Sequence, residues 1–166
     1  MNKPDSLRAW LKRALVSKGH DVDDNPDRLT VLIQEGTVHS TLTAGLAFEY
    51  RYTVELILLD FHGHPDDVLA PVLLWIRTWQ PELAANREKL ARGLRFNAEH
   101  LGDGKVDMMV QVDLTEICRM DVGADGLPTE VEHLDKPLEP ERDWGPLHQV
   151  DANGAEAAHC TAHPEL

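Results

Sequence analysis

Between Phe48 and Phe61 the side chains alternate with the two-residue period of a β-strand. Phe48, Tyr50, Tyr52, Val54, Leu56 and Leu58 share one face; Glu49, Arg51, Thr53 and Glu55 share the other. At about 3.3 Å per residue such a run exceeds ~40 Å, far beyond the usual five or six residues. A second run matches it: Val106, Met108, Val110, Val112 and Leu114 alternate with Asp107, Met109, Gln111 and Asp113, and the pattern continues through Ile117 and Met120. Two such strands centre the fold on a sheet. In the second half of the first run, Ile57, Leu59 and Phe61 make the polar face apolar as well, which predicts cover on both faces there, one of them by a helix.

Shorter elements fill in the order. Pro4-Asp5-Ser6 is a helix start, followed by a stripe of Leu7, Leu11, Ala14 and Leu15 with Trp10 beside it, and Gly19 stands where a helix C-terminus favours glycine. After the turn-rich Asp23–Asp27, Leu29, Val31 and Ile33 alternate with Thr30, Leu32 and Gln34. Glu35-Gly36 is expected to end that strand and Thr37–Thr43 to return as its hairpin partner. Asp66 or Asp67 is expected to cap a helix over Val68–Gln80 whose apolar face is Leu69, Val72, Leu73, Ile76 and Trp79. A strand over Leu94–Leu101 precedes the turn Gly102-Asp103-Gly104-Lys105, and Thr129–Leu134 forms a last short strand.

The order helix, three strands, helix, three strands predicts an α+β fold: a mostly antiparallel sheet with long strands packed by two main helices. These elements make a single domain over residues 1–135. From Lys136 the composition changes, with prolines at 137, 140, 146 and 164 and few aliphatics, so 136–166 is expected to be an extended or disordered arm anchored at most by Trp144 and Leu147.

Sixteen Lys and Arg against 29 Asp and Glu leave a formal net charge of −13. Counterion release on nucleic acid needs clustered bases, so this balance argues against stable nucleic-acid binding. Cys118 and Cys160 are too few and too far apart for a disulfide framework. No apolar run approaches the roughly 20 residues of a membrane span, and the first residues carry no signal-like apolar stretch. The expectation is a soluble protein made in a reducing cytoplasm, with no membrane partner.

Asp60, His62, His64, Asp66 and Asp67 form one group of metal-ligand types, and His62 and His64 with Asp66 are the weak candidates for a zinc or manganese site. The plainer reading is a polar loop that caps the following helix. His159, Cys160 and His163 make a second group, in the arm. None of Ser6, Ser17 and Ser40 stands in a nucleophile elbow, and neither cysteine has a plausible histidine partner nearby in sequence, so no catalytic residue is assigned. Arg51 between Tyr50 and Tyr52 reads as an outward arginine flanked by core tyrosines. What remains is a binding or assembly module without a cofactor, whose subunit-interface candidates are Glu49, Arg51, Glu55 and Trp144.

The segments Lys3–Leu11 (KPDSLRAWL), Asn25–Leu29 (NPDRL), Phe48–Thr53 (FEYRYT), Asp60-Phe61, Ala70–Arg77 (APVLLWIR), Gln80–Leu83 (QPEL) and Leu114–Glu116 (LTE) resemble, in that order, the tail completion protein R family. These are virion proteins of temperate phages with contractile tails and of related prophages. Arg87 after Asn86 and Ile117 after Glu116 depart from the pattern, which leads one to expect proline and arginine there. The resemblance implies a structural protein that completes the head-proximal end of a tail and enables head–tail joining. It implies no catalytic residues and assembly in the bacterial host cytoplasm. Analogy with the tail terminators of other phages implies a ring, a hexamer matching the six-fold tail. Its partners would be copies of itself, the tail tube and/or sheath proteins, and a neck or connector protein. The alternatives are a neck adaptor and, from another class, a small metal-dependent hydrolase using the His62/His64 loop.

Overall fold

The computed structural model describes residues 2–23, 25–40 and 46–138. Helix α1 spans Lys3–Ser17, and a 3-10 turn at Pro26–Arg28 leads into strand β1, Leu29–Ser40. Strand β2 is Ala47–Phe61, followed by helices α2 (Asp66–Trp79), α3 (Pro81–Ala84) and α4 (Arg87–Gly93). Strands β3 (Leu94–Gly102), β4 (Lys105–Val122) and β5 (Pro128–His133) complete the chain. Every strand pairing is antiparallel. The fold is the expected α+β one, with β2 and β4 as its long central strands.

The sheet order is β1-β2-β4-β3, with β5 also paired to β4. Because β2 runs along one edge of β4, β3 and β5 share the other edge end to end: β3 pairs up to Val112 and β5 begins opposite Cys118. The stretch between them, Asp113–Ile117, has no strand on that edge. Its backbone groups must find other partners.

The core lies on one face. Leu7, Leu11 and Leu15 of α1 and Val68, Val72, Trp75 and Ile76 of α2 pack over Tyr52, Val54, Leu56 and Leu58 of β2 and the even-numbered residues Val106–Leu114 of β4. Each such leucine contributes about 1.5–3 kcal/mol on burial. Gly19 ends α1 at φ +85°: the Gly19 N–H donates to the Val16 carbonyl and the His20 N–H to Leu15, a closure that needs the left-handed conformation glycine adopts freely. The β3–β4 hairpin turns on Asp103 and Gly104, both at positive φ, the twist that suits a two-residue loop.

Four expectations are corrected. Glu35-Gly36 does not end the first strand but forms a bulge: Gln34 pairs with Thr53 and Thr37 with Arg51, so two residues stand opposite Tyr52. Glu35 takes φ +50° there, β1 continues to Ser40, and its partner is β2. Residues 41–45, which include the rest of the proposed return strand, lie outside the described residues. Second, the far half of β2 is not covered on both faces. A second bulge at Leu59-Asp60, with Asp60 at φ +50°, turns Phe61 to the core side and leaves Leu59 exposed.

Third, α2 buries Trp75 instead of Leu73, which is 43% exposed. The Trp75 indole N–H reaches Ser6 Oγ at 3.1 Å, which fixes the helix rotation. Fourth, neither Asp66 nor Asp67 caps α2. Pro65, at φ −52°, already has helical geometry in the preceding position. The Asp66 N–H is met instead by His64 Nδ1 at 3.2 Å.

Candidate assembly surface

A buried polar node fills the gap on β4's edge. Glu116 shares the even-numbered, inward parity of β4 and is 1% exposed. Its carboxylate accepts the N–H groups of Asn2 and Lys3, each at 3.1 Å, and the Tyr52 hydroxyl. His133 Nδ1 lies 2.7 Å from Glu116 Oε2, so that nitrogen carries the proton. The free amides of α1's first turn thus end on a carboxylate, which also suits the helix dipole.

The Lys3 ammonium, 2% exposed, donates to Gln80 Oε1 at 2.9 Å and to the Thr115 carbonyl at 2.7 Å, and pairs with Asp135 at 3.3 Å. Asp135 also accepts the Ile117 N–H at 2.7 Å. The edge left bare between β3 and β5 is therefore closed by side chains of α1, the end of α2 and the segment after β5.

The electrostatics follow from this packing. Burial pushes the Glu116 carboxyl up, but the Tyr52 hydroxyl, the Asn2 and Lys3 amides and His133 together outweigh it and hold the group below its ordinary value. Burial, then the Glu116 hydrogen bond, drives the Tyr52 hydroxyl far up, so it stays a donor. Burial and the neighbouring Glu116 and Asp135 charges also raise the Cys118 thiol, whose Sγ sits 3.5 Å from His133 Nδ1. That arrangement disfavours the thiolate a nucleophile needs.

The sheet outruns its helices. Past Tyr52 the inward face continues through Tyr50, Phe48 and Val38 to Met120 and Val131, the last two paired across β4 and β5. Val38, Val122, Leu127 and Val131 are exposed there. Beside the middle of the sheet, a groove of about 570 Å³ runs along α3 and α4, lined by Arg51, Lys89, Arg92 and Arg95, by the carboxylates of Glu35, Glu82 and Asp113, and by Tyr52, Leu83 and Leu114.

Of the interface candidates, Glu49 and Arg51 pair at 2.9 Å on the outward face of β2, and Glu55 accepts Gln111 Nε2 at 2.9 Å. Trp144 lies outside the described residues, as do His159, Cys160 and His163. The metal-ligand types do not converge. Asp60 pairs with Lys105 at 3.2 Å, Asp67 is taken by Lys18 and His20, and exposed His64 meets Asp66. His62 is exposed beside a small cavity lined by His20 and Phe61. Among the described residues no three such groups are placed to hold an ion. Sequence reasoning missed Lys3, Gln80, Glu116 and His133. Lys3, Gln80 and Glu116 all fall inside segments that carry the family resemblance, but only Glu116 also left a physical signal, a carboxylate in the apolar phase of a strand.

The described residues make an antiparallel sheet that extends beyond its helical cover, with its buried ionisable groups joining elements to one another. The class of protein follows from comparison. The family model described as P2 phage tail completion protein R (GpR) matches residues 1–137. The tail completion protein R of Escherichia phage P2 is 40% identical over 116 residues, 70% of this chain and 72% of that protein. The chain belongs to the tail completion protein R family and is a structural component of a phage tail. No solved structure matches it.

Proposed function

We propose that the chain closes the head-proximal end of the tail as a ring of six, halts polymerisation of the tail, and offers the surface to which a filled head attaches. Membership of the tail completion family carries this reading. The exposed apolar end of the sheet supports it, because such a patch is what a subunit buries on its neighbours. Its partners are further copies of itself, the tube and/or sheath proteins below and a neck or connector protein above. Assembly takes place in the bacterial host cytoplasm.

Micrographs of tails made without the chain test the reading. The expected result is tails of uncontrolled length that fail to join heads, and, with the chain supplied, ring density at the head-proximal end. Tails of normal length that merely lack heads assign the chain to the neck. Tails normal in length and joining remove the function altogether.

A further inference from the structure

The hairpin at one end of β4 and the helix beside its middle carry opposite charge. At one end the β4–β5 hairpin exposes the carboxylates of Asp121, Asp125 and Glu130, and among the described residues no basic group lies within ion-pair distance of any of them. Between them Leu127 is 62% exposed, with Val122 and Val131 exposed on either side. The tip is held in one shape: Gly126 sits at φ +79°, the Leu127 N–H donates to Asp125 Oδ1 at 3.1 Å, and the Gly123 N–H to the Leu127 carbonyl at 2.8 Å. Such a tip loses little freedom on docking.

Beside the middle of β4, α4 exposes Arg87, Lys89 and Arg92, and among the described residues none of these has an acidic partner within ion-pair distance. In a chain with 29 acidic and 16 basic residues, three unpaired cations against Glu88 alone leave this seven-residue helix net positive, and the groove beside it, lined by four bases and by Glu35, Glu82 and Asp113, is net positive by one. Lys89 and Arg92 line the groove together with Leu83 and Leu114.

The two surfaces cannot meet within one molecule. The groove is lined by Asp113, Leu114 and Thr115 of β4, while the hairpin leaves β4 at Val122. The seven residues of strand from Thr115 to Val122 hold them roughly 23 Å apart. A knob on one surface and a complementary recess on another, both on the same chain, make a heterologous contact, the kind that closes into rings.

We infer that the β4–β5 hairpin of one copy docks into the α4 groove of the next, Leu127 entering the recess while Asp121, Asp125 and Glu130 face Arg87, Lys89 and Arg92. The inference rests on the ring reading and names the contact that would build the ring. The charges set register and orientation, and the leucine supplies the buried apolar anchor.

Charge exchange in a phage lacking the chain, complemented with full-length variants, tests it. Lys89→Glu with Arg92→Glu, and separately Asp125→Lys with Glu130→Lys, should each lower infectious titre at least 100-fold. Unchanged melting curves for both would show that the variants fold. All four substitutions together should restore titre to within tenfold of wild type. As an independent readout, tails assembled from a mixture of Leu127→Cys and Arg92→Cys proteins should give a disulfide-linked dimer that neither variant gives alone.

Harmless single-side reversals, absence of cross-links, or defects that the exchange does not rescue overturn the contact. In the last case the groove belongs to a different acidic partner, such as residues 139–150 of this chain or a tail protein. Ring density on wild-type tails in any of these cases leaves the ring standing without this interface. Wild-type tails without ring density sink the ring reading itself.

Discussion

Glu116 ties three elements to β4: one carboxylate receives α1's first amides, the hydroxyl of β2's Tyr52 and the imidazole of β5's His133. Truncating it leaves those donors buried and unmatched. Glu116→Ala should therefore cost about 3–5 kcal/mol in chemical denaturation, the range for breaking a buried charged pair. Tyr52→Phe, which removes one hydrogen bond to the charge, should cost about 1.5–3 kcal/mol. The sign of the pH dependence follows from the depressed carboxyl. Its stabilisation is complete above the ordinary carboxylate range and is lost as pH falls through the lower, folded-state value. Melting temperature should thus fall steeply on acidification in the wild type and less so in Glu116→Gln; parallel acid profiles would contradict the assignment. Such a node is nearly invisible in a sequence, because Asn2, Tyr52, Glu116 and His133 meet only once the sheet is built and no local spacing links them.

At the scale of elements, the long alternations of β2 and β4 were legible because a half-buried strand imposes period two on its sequence, and bulges were not. Glu35 and Asp60 are non-glycine residues at positive φ, and each inserts one residue that flips the phase of everything beyond it. A strict alternation therefore misplaces Phe61 on the outer face and breaks β1 in two. The rotation of α2 was hidden for another reason: Leu73, Leu74, Trp75 and Ile76 are consecutive apolar residues, and only the indole contact with Ser6 decides which pair turns inward. Within β2 the reading makes a sharp comparison. Leu56 is fully buried, so Leu56→Ala should cost about 2–5 kcal/mol. Glu55, one residue along, faces outward with a single bond to Gln111, and Glu55→Ala should cost no more than about 1 kcal/mol. Equal losses in urea titrations of the two variants would mean the outward face is not outward in the free protein.

For the whole molecule, the packing continues three residues beyond the boundary expected at Asp135: the Leu138 N–H still donates to the Thr78 carbonyl at 2.7 Å. The family match likewise runs past Asp135, to residue 137. A chain ending at Leu138 should melt cooperatively within a few degrees of the full one. A chain ending at Leu134 loses Asp135, strands the buried Lys3 ammonium and should be destabilised by about 3–5 kcal/mol. Equal stability of the two truncations would remove Asp135 from the domain. The largest consequence of the composition appears only in the assembly. In the proposed ring, six copies would carry 6 × −13 = −78 formal charges, and DNA leaving the head would pass through it. Phosphate-binding groups on the lumen would add salt-sensitive contacts that slow its passage, whereas an acidic wall repels the backbone. The unpaired cations of α4 do not alter this balance if neighbouring hairpins cover them. Duplex DNA mixed with the assembled ring at physiological salt should therefore migrate unretarded, and it should stay so as salt is lowered towards 50 mM. Retardation that weakens with added salt would show a basic lumen and overturn this account of how DNA slips through.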